Sequence, residues 1–168
     1  MYAKLGVKAN LNIRWMLRRD LEASLRIDAD AFQYPWSEDD FFDCLRQRNC
    51  VGMVAEVGGQ VVGYMVYQLS KTRIDLLSFA VDPACQRKGI GRAMATKLIG
   101  KLTAGRRNRI IADVWERNLD AQLFFQVMGF RAIDTLPTKL SSLDDCEYRF
   151  RYNLPVPAAK EACCADSR

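Results

Sequence analysis

Six residues, Gln86-Arg87-Lys88-Gly89-Ile90-Gly91, stand between an apolar run that ends at Val81-Asp82-Pro83 and an amphipathic run that starts at Ile90. Glycines in such a turn let successive backbone N–H groups converge on one anion without Cβ clashes. The helix that follows contributes unpaired N–H donors and the positive end of its dipole. Arg87, Lys88 and Arg92 add full positive charge. The chemistry this favours is the binding of a phosphate or diphosphate. It is not a P-loop, because no GxxxxGK[ST] string surrounds Gly89. Nor is it a dinucleotide loop, because Met94 occupies the third glycine position of GxGxxG.

The groups able to move protons are few. The chain has 168 residues and no histidine, which excludes Ser-His and Cys-His nucleophile pairs and the commonest metal ligand. Proton transfer falls to carboxylates, tyrosines, cysteines or lysines. Asp113 and Glu116 lie at the end of an apolar run, and Tyr148 and Tyr152 on a later one. The six cysteines (Cys44, Cys50, Cys85, Cys146, Cys163, Cys164) form no CxxC pair and are expected as unlinked thiols, buried or idle in the tail. Cys85 lies one residue from the proposed phosphate loop. A mixed disulfide with a thiol ligand and a neutral bystander are the two readings of it.

The string from Gln86 to Ala93 after Val81-Asp82-Pro83 resembles the acetyl-CoA pyrophosphate loop (Q/R-x-x-G-x-G/A) of the GNAT superfamily of N-acetyltransferases. A second stretch, Asp113-Val114-Trp115-Glu116-Arg117-Asn118 through Phe124-Phe125-Gln126-Val127-Met128-Gly129-Phe130, is similar to that family's second motif. Pro35-Trp36-Ser37-Glu38 and Phe79-Ala80-Val81-Asp82-Pro83 look most like the ribosomal-protein alanine N-acetyltransferase (RimI) type. The resemblance covers residues 11–154.

It implies acetyl-CoA as cofactor, CoA as product and no metal. Phe79, Ala80, Val81, Arg87, Lys88, Gly89, Ile90, Gly91, Arg92, Asn118 and Phe125 would bind the cofactor, and an unpaired N–H near Val81 would receive the oxyanion. Tyr34 and Trp36 would begin the substrate groove. Asp113 falls where the RimI type has a basic glutamate, one methylene shorter; its other reading is a strand-end carboxylate paired with an arginine. Glu116 is a fallback base. Phe125 falls where that type has an acidic tyrosine, and a phenyl ring cannot donate a proton. Tyr148 or Tyr152 could substitute, or water could protonate a thiolate whose ordinary pKa is about 8.5. Residues Thr135-Leu136-Pro137-Thr138 lack the tyrosine-rich loop of the RimI type. The implied acceptor is a protein N-terminal amine. The alternatives are a small amine or polyamine acceptor, and an acyl-CoA-binding module without catalysis.

The elements that must position these groups follow from periodicity. Ile13 to Leu17 predicts a strand and Arg18 to Phe32 a helix. Ser37 and Asp40 form a capping box, with Trp36 and Phe41 as its staple, ahead of a helix from Glu38 to Gln47. Val51–Val57 and Gln60–Leu69 flank Gly58-Gly59, a hairpin signal. Arg73–Val81 is a third strand. Ile90, Met94, Leu98 and Leu102 mark one stripe of a helix. Asn108–Trp115 is a strand, and Asn118 to Met128 a helix closed by Gly129. Phe130–Thr135 and Glu147–Asn153 form a closing antiparallel pair.

The expected class is α/β (α+β), a mixed sheet of about seven strands flanked by four helices. Residues 11–154 form one domain, between a flexible leader over 1–10 and a flexible tail over 155–168. Net charge is +5. A polyanionic cofactor accounts for part of this and a ribosomal or nucleic-acid-bound partner for more, although no direct nucleic-acid site is inferred. No apolar run reaches the roughly 18 residues of a membrane span, and no export signal opens the chain. A cytoplasmic monomer or weak dimer is expected.

Overall fold

Gly58 and Gly59 both take positive φ, 58° and 81°, so the chain reverses in two residues and pairs Val57 with Gln60. From this hairpin a seven-stranded sheet grows in the computed structural model, which describes residues 10–137 and 145–155. The strands are β1 (Leu11–Trp15), β2 (Cys50–Val57), β3 (Gln60–Leu69), β4 (Arg73–Val81), β5 (Arg109–Trp115), β6 (Arg131–Pro137) and β7 (Cys146–Asn153). The helices are α1 (Leu21–Ala31), α2 (Glu38–Leu45), α3 (Ile90–Ile99) and α4 (Leu119–Val127). The strand order is β1-β2-β3-β4-β5-β7-β6. β4 and β5 run parallel and the other pairs antiparallel. The expected mixed sheet with four helices is therefore observed. β7 enters between β5 and β6, so the closing hairpin docks through its second strand.

Strand alternation divides the core in two. Met53, Met65, Ile74, Ile110 and Phe150 face α3 and α4, where Ile90, Met94, Leu98 and Phe125 meet them. Val54, Tyr64, Val66 and Ala80 face α1 and α2 and bury Leu21, Ile27 and Phe41. The capping box of α2 forms as the sequence predicts. Asp40 N–H donates to Ser37 Oγ at 3.2 Å, Ser37 N–H donates to Asp40 Oδ2 at 2.8 Å, and the Trp36 and Phe41 rings meet edge-on at 5.1 Å. Gly129 (φ 89°) closes α4, with Phe130 N–H donating to Phe125 O at 2.9 Å.

Several boundaries differ from expectation. β1 sits two residues earlier than Ile13–Leu17, because its register pairs Leu11 with Val57 and Trp15 with Met53. The first helix opens at Leu21 after a 3₁₀ turn, Arg18–Asp20, in which Asp20 accepts from Leu17 N–H and from Arg14. α3 stops at Ile99, where Gly100 follows. The cysteine expectation fails for one pair. Cys44, in the last turn of α2, and Cys50, at the start of β2, are joined in a disulfide with Cα atoms 6.2 Å apart. The intervening turn folds back through Gln47 N–H to Cys44 O and Cys50 N–H to Gln47 O, a proximity that a six-residue separation does not announce. Cys85 is a buried free thiol. The expected leader, apart from Asn10, and the expected tail, apart from Pro155, lie outside the described residues, as do Thr138, Cys163 and Cys164. Among the described residues, no helix is long and apolar enough to cross a membrane.

Candidate active site

Gly89 is the N-cap of α3 and takes φ 84°, a left-handed conformation that lets the chain enter the helix directly from the loop. Arg87 also has positive φ, 61°. Gly91 does not: it is already helical. A Cβ there would stand 3.4 Å from the Phe124 ring. Of the two glycines expected to curl the loop, one does so and the other makes close packing possible. The consequence lies in the amides. From Arg87 to Arg92, no backbone N–H meets an acceptor among the described residues, and the first helical bond runs from Ala93 N–H to Gly89 O at 3.0 Å. Six donors and a helix start are thus presented together. Around them, Arg87 pairs with Asp120 at 2.7 Å in full exposure, Lys88 Nζ donates to Ala84 O at 2.8 Å, and Arg92 is exposed.

The strand leading into this loop leaves its parallel neighbour. β4 and β5 pair only from Arg73–Arg109 to Leu76–Ala112. Leu77 is then bulged out, since Tyr67 pairs with Leu76 and Val66 with Ser78. Beyond it β4 stays with β3 while β5 stays with β7, and a gap opens. Asp82 N–H donates to Val62 O at 2.9 Å. Strand alternation then aims the N–H groups of Val81 and Phe79 into the gap.

Two cavities meet there. One, of about 520 Å³, runs from Phe79, Ala80 and Val81 past Cys85, Gln86, Arg87 and residues 89–92 to the face of α4 carrying Leu123, Phe124 and Val127. The other, of about 360 Å³, lies between the bend Phe32–Trp36, Leu76–Phe79 of β4, Ala112–Trp115 of β5, and Glu147. Phe32, Phe79, Asn118 and Ala121 line both. Asn118 caps α4 by accepting from Ala121 N–H at 3.1 Å.

Most of the residues singled out in the sequence therefore converge. Tyr34, Trp36, Asp113 and Phe125 line the smaller cavity; Ala80, Val81, Arg87 and residues 89–92 line the larger, whereas Lys88, expected among them, lines neither. Tyr34 and Trp115, both lining the smaller cavity, meet edge-on at 5.9 Å. Both oxygens of Asp113 accept from Arg149, at 2.8 Å each, and about a third of each side chain is exposed (32% and 33%). That contact raises Arg149 above the ordinary arginine value. Phe125 is buried among Phe124, Phe130 and Phe150. Tyr148 and Tyr152 belong to the other side of the sheet, packed against the α3–α4 core, and line neither cavity. Glu116 accepts from Cys146 Sγ at 2.9 Å and lines neither cavity.

Three residues that sequence reasoning passed over stand in or behind the smaller cavity. Asp28 of α1, fully buried, accepts from Tyr64 Oη and from Trp36 N–H at 2.5 Å. Tyr64 Oη and Ser78 Oγ share a hydrogen bond of 2.6 Å. Burial raises the Asp28 carboxyl above the ordinary range, and burial followed by the Asp28 bond raises the Tyr64 phenol. The only sequence signal is a carboxylate, Asp28, at helical spacing from Leu21, Leu25 and Phe32, which puts a charge on an otherwise apolar face.

A family model described as "Acetyltransferase (GNAT) family" matches residues 14–130. The chain is 30% identical over 115 residues to the [ribosomal protein bS18]-alanine N-acetyltransferase of Escherichia coli (strain K12), covering 66% of this chain and 74% of that one. Among solved structures it resembles Ard1 from Thermoplasma volcanium, with TM-score 0.79, 24% identity, and 88% and 100% of the two chains covered. It also resembles Arabidopsis thaliana NAA60 in complex with acetyl-CoA, with TM-score 0.74, 16% identity, and 86% and 99% covered.

Proposed function

The chain belongs to the Acetyltransferase (GNAT) family and is an N-acetyltransferase; from that premise we propose that it carries the acetyl group of acetyl-CoA to a protein N-terminal amine. The observation that carries the reading is the continuity of the two cavities through Phe79 and Asn118, with the unbonded amides of Arg87 to Arg92 along one and carboxylate chemistry along the other. The loop amides hold the diphosphate. Phe79, Ala80 and Val81 line the pantetheine arm, and Asn118 and Phe125 close the junction. The N–H of Val81 faces the thioester oxygen as charge develops there. In one transfer the amine nitrogen forms a bond to the acetyl carbon, the carbon–sulfur bond breaks with its electron pair on sulfur, and the nitrogen gives up protons. An α-amine with a pKa near 8 is mostly protonated at pH 7, so the first proton must leave before attack. Asp113, on the acceptor wall, receives it, directly or through an ordered water. With phenylalanine at position 125, the thiolate leaves as the anion and takes its proton from water.

A protein acceptor is supported by the relation to the E. coli enzyme, whose name gives the alanine of a ribosomal protein as its substrate. Tyr34, an exposed ring, and Trp115 also line the smaller cavity beside the bend. The test is thiol release from acetyl-CoA with N-terminal peptides, small amines and polyamines side by side. Release confined to N-terminal peptides is the expected result. Release confined to small amines or polyamines would move the acceptor to that class. CoA binding without turnover on any amine would reduce the chain to an acyl-CoA-binding module.

A further inference from the structure

The transfer proposed above removes two protons from one nitrogen: the ammonium loses the first before attack, and the new amide nitrogen loses the second as the carbon–sulfur bond breaks. Asp113 and Glu147 stand on the acceptor wall, and both oxygens of Asp113 are held by Arg149. We infer that the second proton leaves through Ser78 and Tyr64 to Asp28, a buried carboxylate that bonds to no lysine or arginine among the described residues. This rests on the acetyl-transfer reading.

The path is continuous. Ser78 and Asp28 both line the smaller cavity. Ser78 Oγ lies 2.6 Å from Tyr64 Oη, and Tyr64 Oη donates to Asp28 Oδ1. The second oxygen of Asp28 is engaged by Trp36 N–H at 2.5 Å. A buried anion without a counter-cation is costly, so this carboxylate gains by accepting a proton. Burial accordingly lifts it above the ordinary carboxylate range. The step balances: the nitrogen's proton passes to Ser78 Oγ, the Ser78 proton to Tyr64 Oη, and the Tyr64 proton to Asp28 Oδ1. Ser78 and Tyr64 end as they began, Asp28 becomes neutral, and the nitrogen has shed one positive charge.

Other ionisable groups around Asp28 are engaged or distant. Tyr64 of β3 belongs to the path. Asp113, Glu147 and Tyr34 line the same cavity. Arg26 of α1 is paired with Asp82 ahead of the 3₁₀ turn Pro83–Cys85, and Asp20, before α1, is held by Arg14. Ser78 is the residue that touches the amine; Asp28 acts through it and through Tyr64.

The test measures kcat against pH from 5 to 9, together with KM for acetyl-CoA, in Ser78→Ala, Tyr64→Phe and Asp28→Asn, using an N-terminal peptide that the wild type acetylates. Wild-type kcat should fall at low pH as Asp28 takes up a proton. In each variant kcat at pH 7 should drop roughly 10²-fold, recover as pH rises, and leave KM for acetyl-CoA unchanged. Ser78→Ala and Tyr64→Phe remove one oxygen each, so they keep the question answerable if Asp28→Asn fails to fold. Wild-type kcat and pH profile in both would overturn the relay and leave the acetyltransferase reading intact. A loss that only tracks the folded fraction, with the profile unmoved, would overturn it as well. If the wild type acetylates no amine at any pH, the parent reading falls and the relay with it.

Discussion

A carboxylate held at both oxygens by a guanidinium is placed firmly, and Asp113 has this environment. Its proposed role is therefore best tested by keeping its shape. Asp113→Asn should lower kcat by roughly 10²-fold while calorimetry finds CoA affinity unchanged; undiminished turnover would remove it as the base. Phe125 allows the complementary test. Its ring lines the smaller cavity, so Phe125→Tyr sets a hydroxyl where the resemblance to the RimI type implies one. Thiol release should hold or rise. If the melting temperature collapses instead, the ring is simply core, and a buried hydroxyl without a partner costs about 1–3 kcal/mol. The identities of Asp113 and Phe125 were legible because each sits at a fixed offset from a local motif. Asp28, Tyr64 and Ser78 were not, because they lie 36 and 14 residues apart and meet only after α1 docks on β3 and β4.

At the scale of elements, the turn from β4 into α3 does most with least sequence. Gly89 needs its left-handed φ, yet a Cβ there would meet nothing within 4 Å. Gly89→Ala thus isolates conformational cost, about 1–2 kcal/mol, from steric clash. CoA should bind about tenfold more weakly, with α3 otherwise intact by circular dichroism. Unaltered affinity would show that the loop amides do not grip the diphosphate. Local chemistry made this turn readable, as it did the Gly58-Gly59 hairpin and the Ser37–Asp40 cap. The Leu77 bulge, the parting of β4 from β5, and the entry of β7 between β5 and β6 are settled by register between distant strands, which local periodicity does not encode. The Cys44–Cys50 link was hidden for the same reason: its geometry depends on how α2 hands the chain to β2.

For the molecule as a whole, two buried aspartates pull stability in opposite directions with pH. Arg14 holds Asp20 below the ordinary carboxylate range. Its contribution is present above the unfolded value near 3.9 and is lost as pH falls through the lower folded value. Asp28 is raised by burial. Its contribution is present below about 3.9 and is lost as pH rises through the higher folded value. Urea unfolding at pH 4 and pH 7 should show the stability gap between wild type and Asp28→Asn narrowing as pH rises. The gap between wild type and Asp20→Asn should widen. Parallel behaviour of the two variants would contradict these assignments.

Among the described residues, the two cavities share only Phe32, Phe79, Asn118 and Ala121, and the rest of each lining is its own. Donor and acceptor can therefore be resident together, and neither has to depart before the other arrives. Initial-rate lines for the two substrates should intersect, not run parallel. For the protein acceptor proposed above, only the first residues enter the smaller cavity beside Tyr34 and Trp115, so its bulk, whether a short peptide or a whole folded subunit, can remain outside.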